Sequence, residues 1–168
     1  GNLHFNVASK KVASFTSVSY SDFGDLKVGS VENGEYGNFN FRPYYVVTNN
    51  GVDDLVRSDD KTIQVQSGYT QYDVLEKLLY QQNNKISHLL NFQYSTSTDI
   101  PRYDRLTDPL NDDSLRSAQW YYGPQERLMA AYEFKYQSVN KLFDMAHLTA
   151  SYQAIEESRH DRRYGRTT

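Results

Sequence analysis

The sequence predicts an all-β chain: an antiparallel up-and-down meander of about six strands that forms part of a transmembrane β-barrel. Polar and apolar residues alternate along several segments, which is typical of strands facing two unlike environments. Short connections between these segments alternate with long polar ones, and a membrane barrel has short periplasmic turns on one side and long extracellular loops on the other. Tyrosine is abundant, with 15 Tyr against eight Phe, and it suits both strands and membrane interfaces.

Six segments show the strand pattern: residues 3–9, 12–22, 62–82, 86–96, 127–138 and 146–156. The last two show it most clearly, because every second residue of 128–136 and of 146–154 is apolar or aromatic. In a barrel this apolar face meets lipid and the opposite face meets a wet lumen or a plug. In a soluble sandwich the same apolar face packs against a second sheet.

The connections between strands are of two kinds. Lys10-Lys11, Asn83-Asn84-Lys85 and the residues around Asn140-Lys141 are short and predict turns, helped by the tolerance of Asn for left-handed backbone. The stretches 23–61 and 97–126 are long and polar, and they predict extracellular loops.

Two segments need a choice between structures, and two others are interpreted as connections. Residues 72–82 carry Leu side chains at helical spacing, but the Asn-rich turn that follows favours a strand of a hairpin. Residues 156–163 are dense in charge and fit a helical turn or a strand that rises above the membrane, and we expect the strand. Residues 24–37 hold most of the early glycines and predict a mobile loop. Gly123-Pro124 is interpreted as a turn.

Composition excludes several classes of protein and site. The chain has no cysteine, so it has neither a disulfide framework nor a thiolate metal site. A net charge of -3 with both signs interspersed gives no reason to expect a nucleic-acid partner. The four His form no metal-ligand pattern, and the adjacent acidic pairs point to opposite sides of a strand. Residues 108–113 match a calcium loop only loosely. We therefore predict no enzyme activity, no metal and no cofactor.

Candidate ligand-binding residues lie in the second long stretch and share aromatic or charged side chains: Arg102, Tyr103, Asp104, Arg105, Trp120, Tyr121 and Tyr122. Trp, Tyr and Arg dominate binding hot spots. The same residues also suit an interfacial aromatic girdle held by internal salt bridges, and both interpretations stay open. His147, on a predicted polar face, and His160, in a predicted outer loop, are added as side chains that could touch a metal-containing ligand.

Residues 99–106, 120–125 and 155–159 carry a family likeness. Their sequences, DIPRYDRL, WYYGPQ and IEESR, resemble the barrel of TonB-dependent outer-membrane receptors, most of all the heme, siderophore and cobalamin receptors of Bacteroidetes-type bacteria. The resemblance implies a location in the outer membrane of a Gram-negative bacterium. It also implies import of heme, an iron siderophore or cobalamin, with energy passed through TonB. No individual ligand contact is carried over.

The resemblance also implies a barrel of about 22 strands that is closed by a plug domain. Residues 1–168 then form an N-terminal part of the barrel domain, without the plug, the TonB-contacting segment and the remaining strands. The alternative is a soluble extracellular β-sandwich that recognises a glycan or a protein through Tyr, Trp and Arg in its loops.

Overall fold

A computed structural model describes residues 1–29, 41–111, 114–138 and 142–166 of the chain. These residues are almost entirely strands and connections, with one single-turn helix. In chain order the elements are β1 (Asn2–Ala8), β2 (Val12–Phe23), β3 (Leu26–Lys27), β4 (Tyr44–Asn49), β5 (Val52–Arg57), β6 (Ile63–Gln64), β7 (Tyr69–Gln81), β8 (Ile86–Ser97), β9 (Ile100–Pro101), α1 (Tyr103–Leu106), β10 (Pro109–Asn111), β11 (Ser114–Leu115), β12 (Ser117–Gln137) and β13 (Met145–Arg163).

The six long strands form one sheet in the order β1-β2-β7-β8-β12-β13, and β9 adds to it beside β12. The pairs β1–β2, β7–β8 and β8–β12 are antiparallel. The predicted all-β, antiparallel class is therefore confirmed. Within the described residues the sheet does not close, because β1 and β13 each have a neighbour on one side only.

Three small sheets, β3–β6, β4–β5 and β10–β11, are built from strands in the stretches predicted to be long loops, except for β6, which lies at the start of the predicted strand 62–82. The β4–β5 hairpin turns through Asn50 and Gly51, whose φ angles are 51° and 81°. Two positive φ values are what a tight two-residue hairpin turn requires, and Asn-Gly is the dipeptide that adopts them most readily. The long stretches are thus built from short strands as well as connections.

Several sequence predictions are confirmed. Residues 72–81 are strand rather than helix, and residues 156–163 continue β13. Asn83 makes the predicted turn, since its side-chain oxygen accepts hydrogen bonds from the backbone N–H of Lys85 at 2.8 Å and of Ile86 at 3.0 Å. The predicted turn at Asn140-Lys141 lies outside the described residues, as do residues 30–37 of the predicted mobile loop.

Two predictions are wrong. Residues 62–82 are not one strand, because Gln66 has a left-handed backbone with φ 64° and the next two N–H groups donate to the Asp25 carboxylate at 2.7 and 2.9 Å. Gly123-Pro124 is not a turn, because both residues lie inside β12, which begins at Ser117 rather than at Arg127.

The chain divides into two compact units. The sheet unit comprises Gly1–Ser21, Gln71–Ser97 and Gln125–Glu156, and the loop unit comprises Asp22–Thr70, Thr98–Pro124 and Glu157–Thr168. Among the described residues, the buried hydrophobic side chains all belong to the loop unit: Phe41, Val46, Leu106, Leu115 and Ala118. Val46, Leu115 and Ala118 form its core cluster.

The sheet unit has one mainly apolar face, which the strand register defines. Its polar residues are Ser14, Thr16, Glu76, His88, Thr96 and Glu126. Directly paired residues of an antiparallel sheet point to the same side. The face carries Leu3, Phe5, Val7, Val18, Tyr20, Tyr72, Val74, Leu78, Tyr80, Ile86, Leu90, Phe92, Tyr94, Leu128, Ala130, Tyr132, Phe134 and Tyr136. The face is bare: Phe5 and Leu90 are both 52% exposed. No described segment forms a helix long and apolar enough to cross a bilayer.

Candidate functional site

Eight of the nine predicted ligand-binding residues lie in the loop unit. Arg102 follows β9, the next three candidates lie on α1, the aromatic triplet 120–122 lies on β12, and His160 lies on β13. The pairing of β9 with β12 sets Pro101 opposite Tyr121. The backbone N–H of Arg102 then donates to the carbonyl of Trp120 at 3.0 Å. This backbone hydrogen bond holds Arg102 beside Trp120, although the two residues are far apart in the sequence.

Trp120 is the centre of the first group of these side chains. The guanidinium carbons of Arg102 and Arg159 lie 4.9 and 5.8 Å from the centre of its ring, within cation–π range. The ring of Tyr122 meets Trp120 edge-on, with the centroids 5.2 Å apart. The Arg102 Nε donates to Asp104 at 3.0 Å, and this hydrogen bond raises the pKa of Arg102. An internal salt bridge, which belongs to the alternative interpretation of these residues as an aromatic girdle, is therefore present.

Tyr121 and His160 form a second group. Their rings are stacked, with the centroids 4.9 Å apart and an interplanar angle of 16°. The Ser158 Oγ lies 2.9 Å from the His160 Nε2. Gly123 makes this packing possible, because a Cβ at that position would lie 2.3 Å from the Ser158 Oγ and 3.1 Å from the imidazole. The glycine that resembled a turn signal is instead the site of a close approach inside a strand.

A pocket of about 400 Å³ opens beside these aromatic residues. Trp120, Tyr121, Pro101 and Leu106 give it apolar walls, and Asp99 supplies a carboxylate. The volume lies within the range of small-molecule sites, which are typically apolar with few polar groups. The pocket is therefore suited to hold an apolar or aromatic part of a ligand by stacking.

Tyr103 and Asp104 line a second cavity of about 590 Å³, together with Arg42. Arg42 is only 1% exposed, and its Nη1 donates to the carbonyl of Val65. Its Nε has no hydrogen-bond partner among the described residues. Burial lowers the pKa of Arg42 to about 10, and the charge of Asp25 opposes that shift. Arg42 belongs to no recognisable sequence motif, so the sequence analysis did not identify it as a candidate residue.

An ion-pair network holds the β4–β5 hairpin to the end of β13. Both nitrogens of the Arg162 fork donate to the Asp53 carboxylate, at 2.6 and 2.7 Å. Thr48 and the backbone N–H of Gly165 also donate to Asp53, at 2.7 and 2.9 Å. The hydrogen bonds from Arg162 above all hold the pKa of Asp53 well below its ordinary value. The Asp53 side chain is 1% exposed and that of Arg162 is 11% exposed, so the pair is shielded from water.

The sequence analysis missed this network. Asp53 and Arg162 are far apart in the chain, and nothing in a single sequence pairs them. One part of the network could have been predicted from the sequence. Asn50-Gly51, between two short runs that contain β-branched residues, predicts the hairpin that carries Asp53.

Two candidates stand apart from the aromatic groups. His147 belongs to the sheet unit, where its Nε2 lies 3.2 Å from the Glu133 carboxylate and 3.3 Å from the Thr149 Oγ1. Arg105 makes ion pairs with Asp108 at 3.8 Å and with Asp104 at 4.0 Å. Neither side chain lines the aromatic pocket.

No metal centre is visible in the part of the chain that the structure describes, since no three or more His, Cys, Asp or Glu side chains are grouped to hold an ion. Residues 112 and 113 of the possible calcium loop lie outside that part, and Asp108 pairs with Arg105 and Arg116. No protein-family model, no curated protein and no solved structure matches the chain.

Proposed function

We propose that this chain is part of a TonB-dependent receptor in the outer membrane of a Gram-negative bacterium. In this proposal the sheet unit is a wall of the transmembrane barrel, completed by further strands and a plug domain. The protein binds a scarce nutrient such as heme, an iron siderophore or cobalamin and imports it with energy from TonB. The observation that carries the proposal is the bare apolar face of the sheet unit.

The exposure of this face favours a lipid environment. Burial of a large apolar side chain is worth about 1.5–3 kcal/mol, and a soluble sheet obtains that energy by packing its apolar face. The sheet unit has no buried hydrophobic residue among those described, and Leu148 and Tyr152 on β13 are 60% and 63% exposed. Lipid tails would cover such a face without any further protein segment. A soluble sandwich needs a second sheet to cover it.

Aromatic rings bound this face at both ends. At one end Tyr20 and Tyr72 lie with their ring centroids 5.0 Å apart, and at the other Tyr80 and Phe134 flank His88 at 5.9 and 5.4 Å. Tyr72 and Tyr80 are separated along β7 by about 27 Å, at roughly 3.4 Å per residue. A strand tilt of about 35–45° reduces this to about 20 Å along the membrane normal, close to the apolar band of known barrels.

The opposite face of the sheet unit is mainly polar, as a water-filled lumen requires. Its apolar residues include Leu75, Leu79, Leu89 and Met129. Asp73 accepts hydrogen bonds from Ser95 at 2.6 Å and from Gln71 at 2.9 Å. These residues line a trough of about 550 Å³ together with Arg127 and Gln153. Two unlike faces on one sheet match the wall of a barrel.

Ligand binding and membrane location are tested together in the full-length protein. We expect it to fractionate with outer membranes, to need detergent for extraction, and to bind one of heme, a ferric siderophore or cobalamin saturably. Replacement of Trp120 by Ala should weaken that binding about 10-fold or more, because Trp is a common hot-spot residue, whereas Trp120→Phe retains the aromatic wall and should weaken it less. Recovery of the protein in the aqueous fraction without detergent, with none of the three bound, would contradict the proposal and favour the soluble binding module.

A further inference from the structure

One carboxylate lies in the middle of the apolar face. Glu76 on β7 is paired with Phe92, which is paired in turn with Ala130, so all three point to the same side. Glu76 lies four residues from Tyr72 and four from Tyr80, the two aromatic ends of the face. It is therefore about 13 Å along the strand from each end, at roughly 3.3 Å per residue.

Neutral neighbours hold this carboxylate in place. The Ser14 Oγ donates to one oxygen at 2.6 Å, and the Thr16 Oγ1 donates to the other. Ser14 and Thr16 belong to the same face, because they are paired with Val7 and Phe5. Among the described residues, no Lys, Arg or His contributes a charge to Glu76. Both oxygens accept hydrogen bonds, and the negative charge has no counter-charge.

An ionisable side chain at the centre of a membrane-facing surface is costly and marks a functional site by default. Resting on the membrane location proposed above, we propose that Glu76 is the anchor of a lateral docking site. Its occupant is a membrane-spanning segment of a partner protein that carries a Lys or Arg side chain near mid-membrane. The apolar surface around Glu76, including Phe5 and Phe92, packs against the apolar part of that segment.

Charge and distance favour this occupant over two others. A lipid amine lies in the headgroup layer, about 13 Å from Glu76 along the strand, and does not reach the middle of the face. A second copy of the same face, related by a two-fold axis, brings a second Glu76 towards the first, and like charges repel. A Lys or Arg side chain on a membrane-spanning segment can pair with the Glu76 carboxylate in the middle of the face.

The test uses the full-length protein in phosphatidylcholine vesicles with a fluorescent donor. The probes are two acceptor-labelled Leu-rich spanning peptides that differ only at the central residue, which is Lys in one and Leu in the other. Energy transfer should show binding of the Lys peptide about tenfold tighter than that of the Leu peptide. Glu76→Gln should abolish this preference. Glu126→Gln is the matched control, since Glu126 lies on the same face opposite Thr96, in the register row of Tyr72, and should leave the preference unchanged.

The outcomes separate this inference from the proposed function. Vesicle flotation and resistance to external protease report insertion. If the protein inserts but binds both peptides equally, or if Glu76→Gln retains the preference for Lys, the docking site is wrong and the membrane proposal stands. If Glu126→Gln abolishes the preference equally, the effect is a general one of charge and the docking site is again wrong. If the protein does not insert at all, both proposals fail.

Discussion

The sheet unit and the loop unit obtain their stability in opposite ways. The loop unit contains every buried hydrophobic residue of the described chain and a shielded ion pair between Asp53 and Arg162. The sheet unit is a continuous ladder of backbone hydrogen bonds, and its described residues include a bare apolar face and no buried hydrophobic side chain. One unit contains its own core, whereas the apolar face of the other is exposed among the residues that the structure describes.

The two units should therefore respond differently to mutation. In the loop unit, losses should come from buried contacts and should not depend on lipid. In the sheet unit, they should depend on the face a residue occupies and on the membrane. Both responses can be measured in the full-length protein.

The largest effect is expected from Asp53→Ala. Removal of the carboxylate leaves the Arg162 guanidinium without its counter-charge, and the cost should be about 3–4 kcal/mol, the lower part of the range for breaking a buried pair, because both residues are partly buried. Hydrogen exchange of the amides in residues 44–57 should accelerate accordingly. Asp54→Ala is the control, because Asp54 is exposed and neighbours Asp53 on the strand. Equal acceleration in both variants would show that the ion pair does not hold the hairpin.

The apolar face should reject charge in the sheet unit. Ala130 lies on that face in the row of Glu76 and Phe92, and Ala131 lies on the polar face. With Glu76 changed to Gln, so that no carboxylate in that row can pair with the new cation, Ala130→Lys should destabilise the protein in vesicles by about 2–4 kcal/mol, the range for Lys near the bilayer midplane. Lys at position 131 should change stability by about 0.5 kcal/mol or less. Urea unfolding in lipid measures both, and similar losses would remove the distinction between the faces.

Acid should weaken the loop unit through Asp53. Because the pKa of Asp53 is depressed in the folded state, its stabilisation is fully present above the unfolded pKa of about 3.9 and is lost as pH falls below it. The loss should reach about 2–3 kcal/mol, the range for a carboxylate paired in the native state. The difference in hydrogen exchange between wild type and Asp53→Asn should therefore shrink below about pH 4. A difference that stays constant down to pH 2 would exclude this linkage.

The smallest effect is expected from Gly123→Ala. A Cβ there collides with Ser158 Oγ, and overpacking of this kind costs about 1–3 kcal/mol. Ser158→Gly should relieve part of that cost in the double variant. Gly24→Ala is the matched control, since a Cβ at Gly24 meets no atom within 4 Å. Thermal unfolding measures all three variants, and a neutral Gly123→Ala would show that the close approach is unimportant.

The sequence predicts the sheet unit better than the loop unit for a physical reason. The faces of β12 and β13 follow from period-two alternation, which is local information. The Asp53–Arg162 pair depends on residues that only the fold brings together. The predicted turn at Gly123 is wrong because glycine occurs both in turns and at close approaches between segments. Asn50-Gly51 is a hairpin signal that the sequence analysis did not use. His160 and Tyr121 were selected by residue type alone, and their stacking follows from an N-terminal extension of β12 that was not predicted.

The environment of the two faces of the sheet unit can be measured directly in a lipid bilayer. The chain has no cysteine, so a spin label can be placed at single positions from 127 to 135, with any cysteine beyond this chain replaced by serine. Collision rates with oxygen, which concentrates in lipid, and with a water-soluble nickel complex are then compared. We expect oxygen accessibility to peak at 128, 130, 132 and 134 and nickel accessibility to peak at the residues between them. Nickel accessibility at positions 130 and 132 equal to that at 129 and 131 would contradict the account.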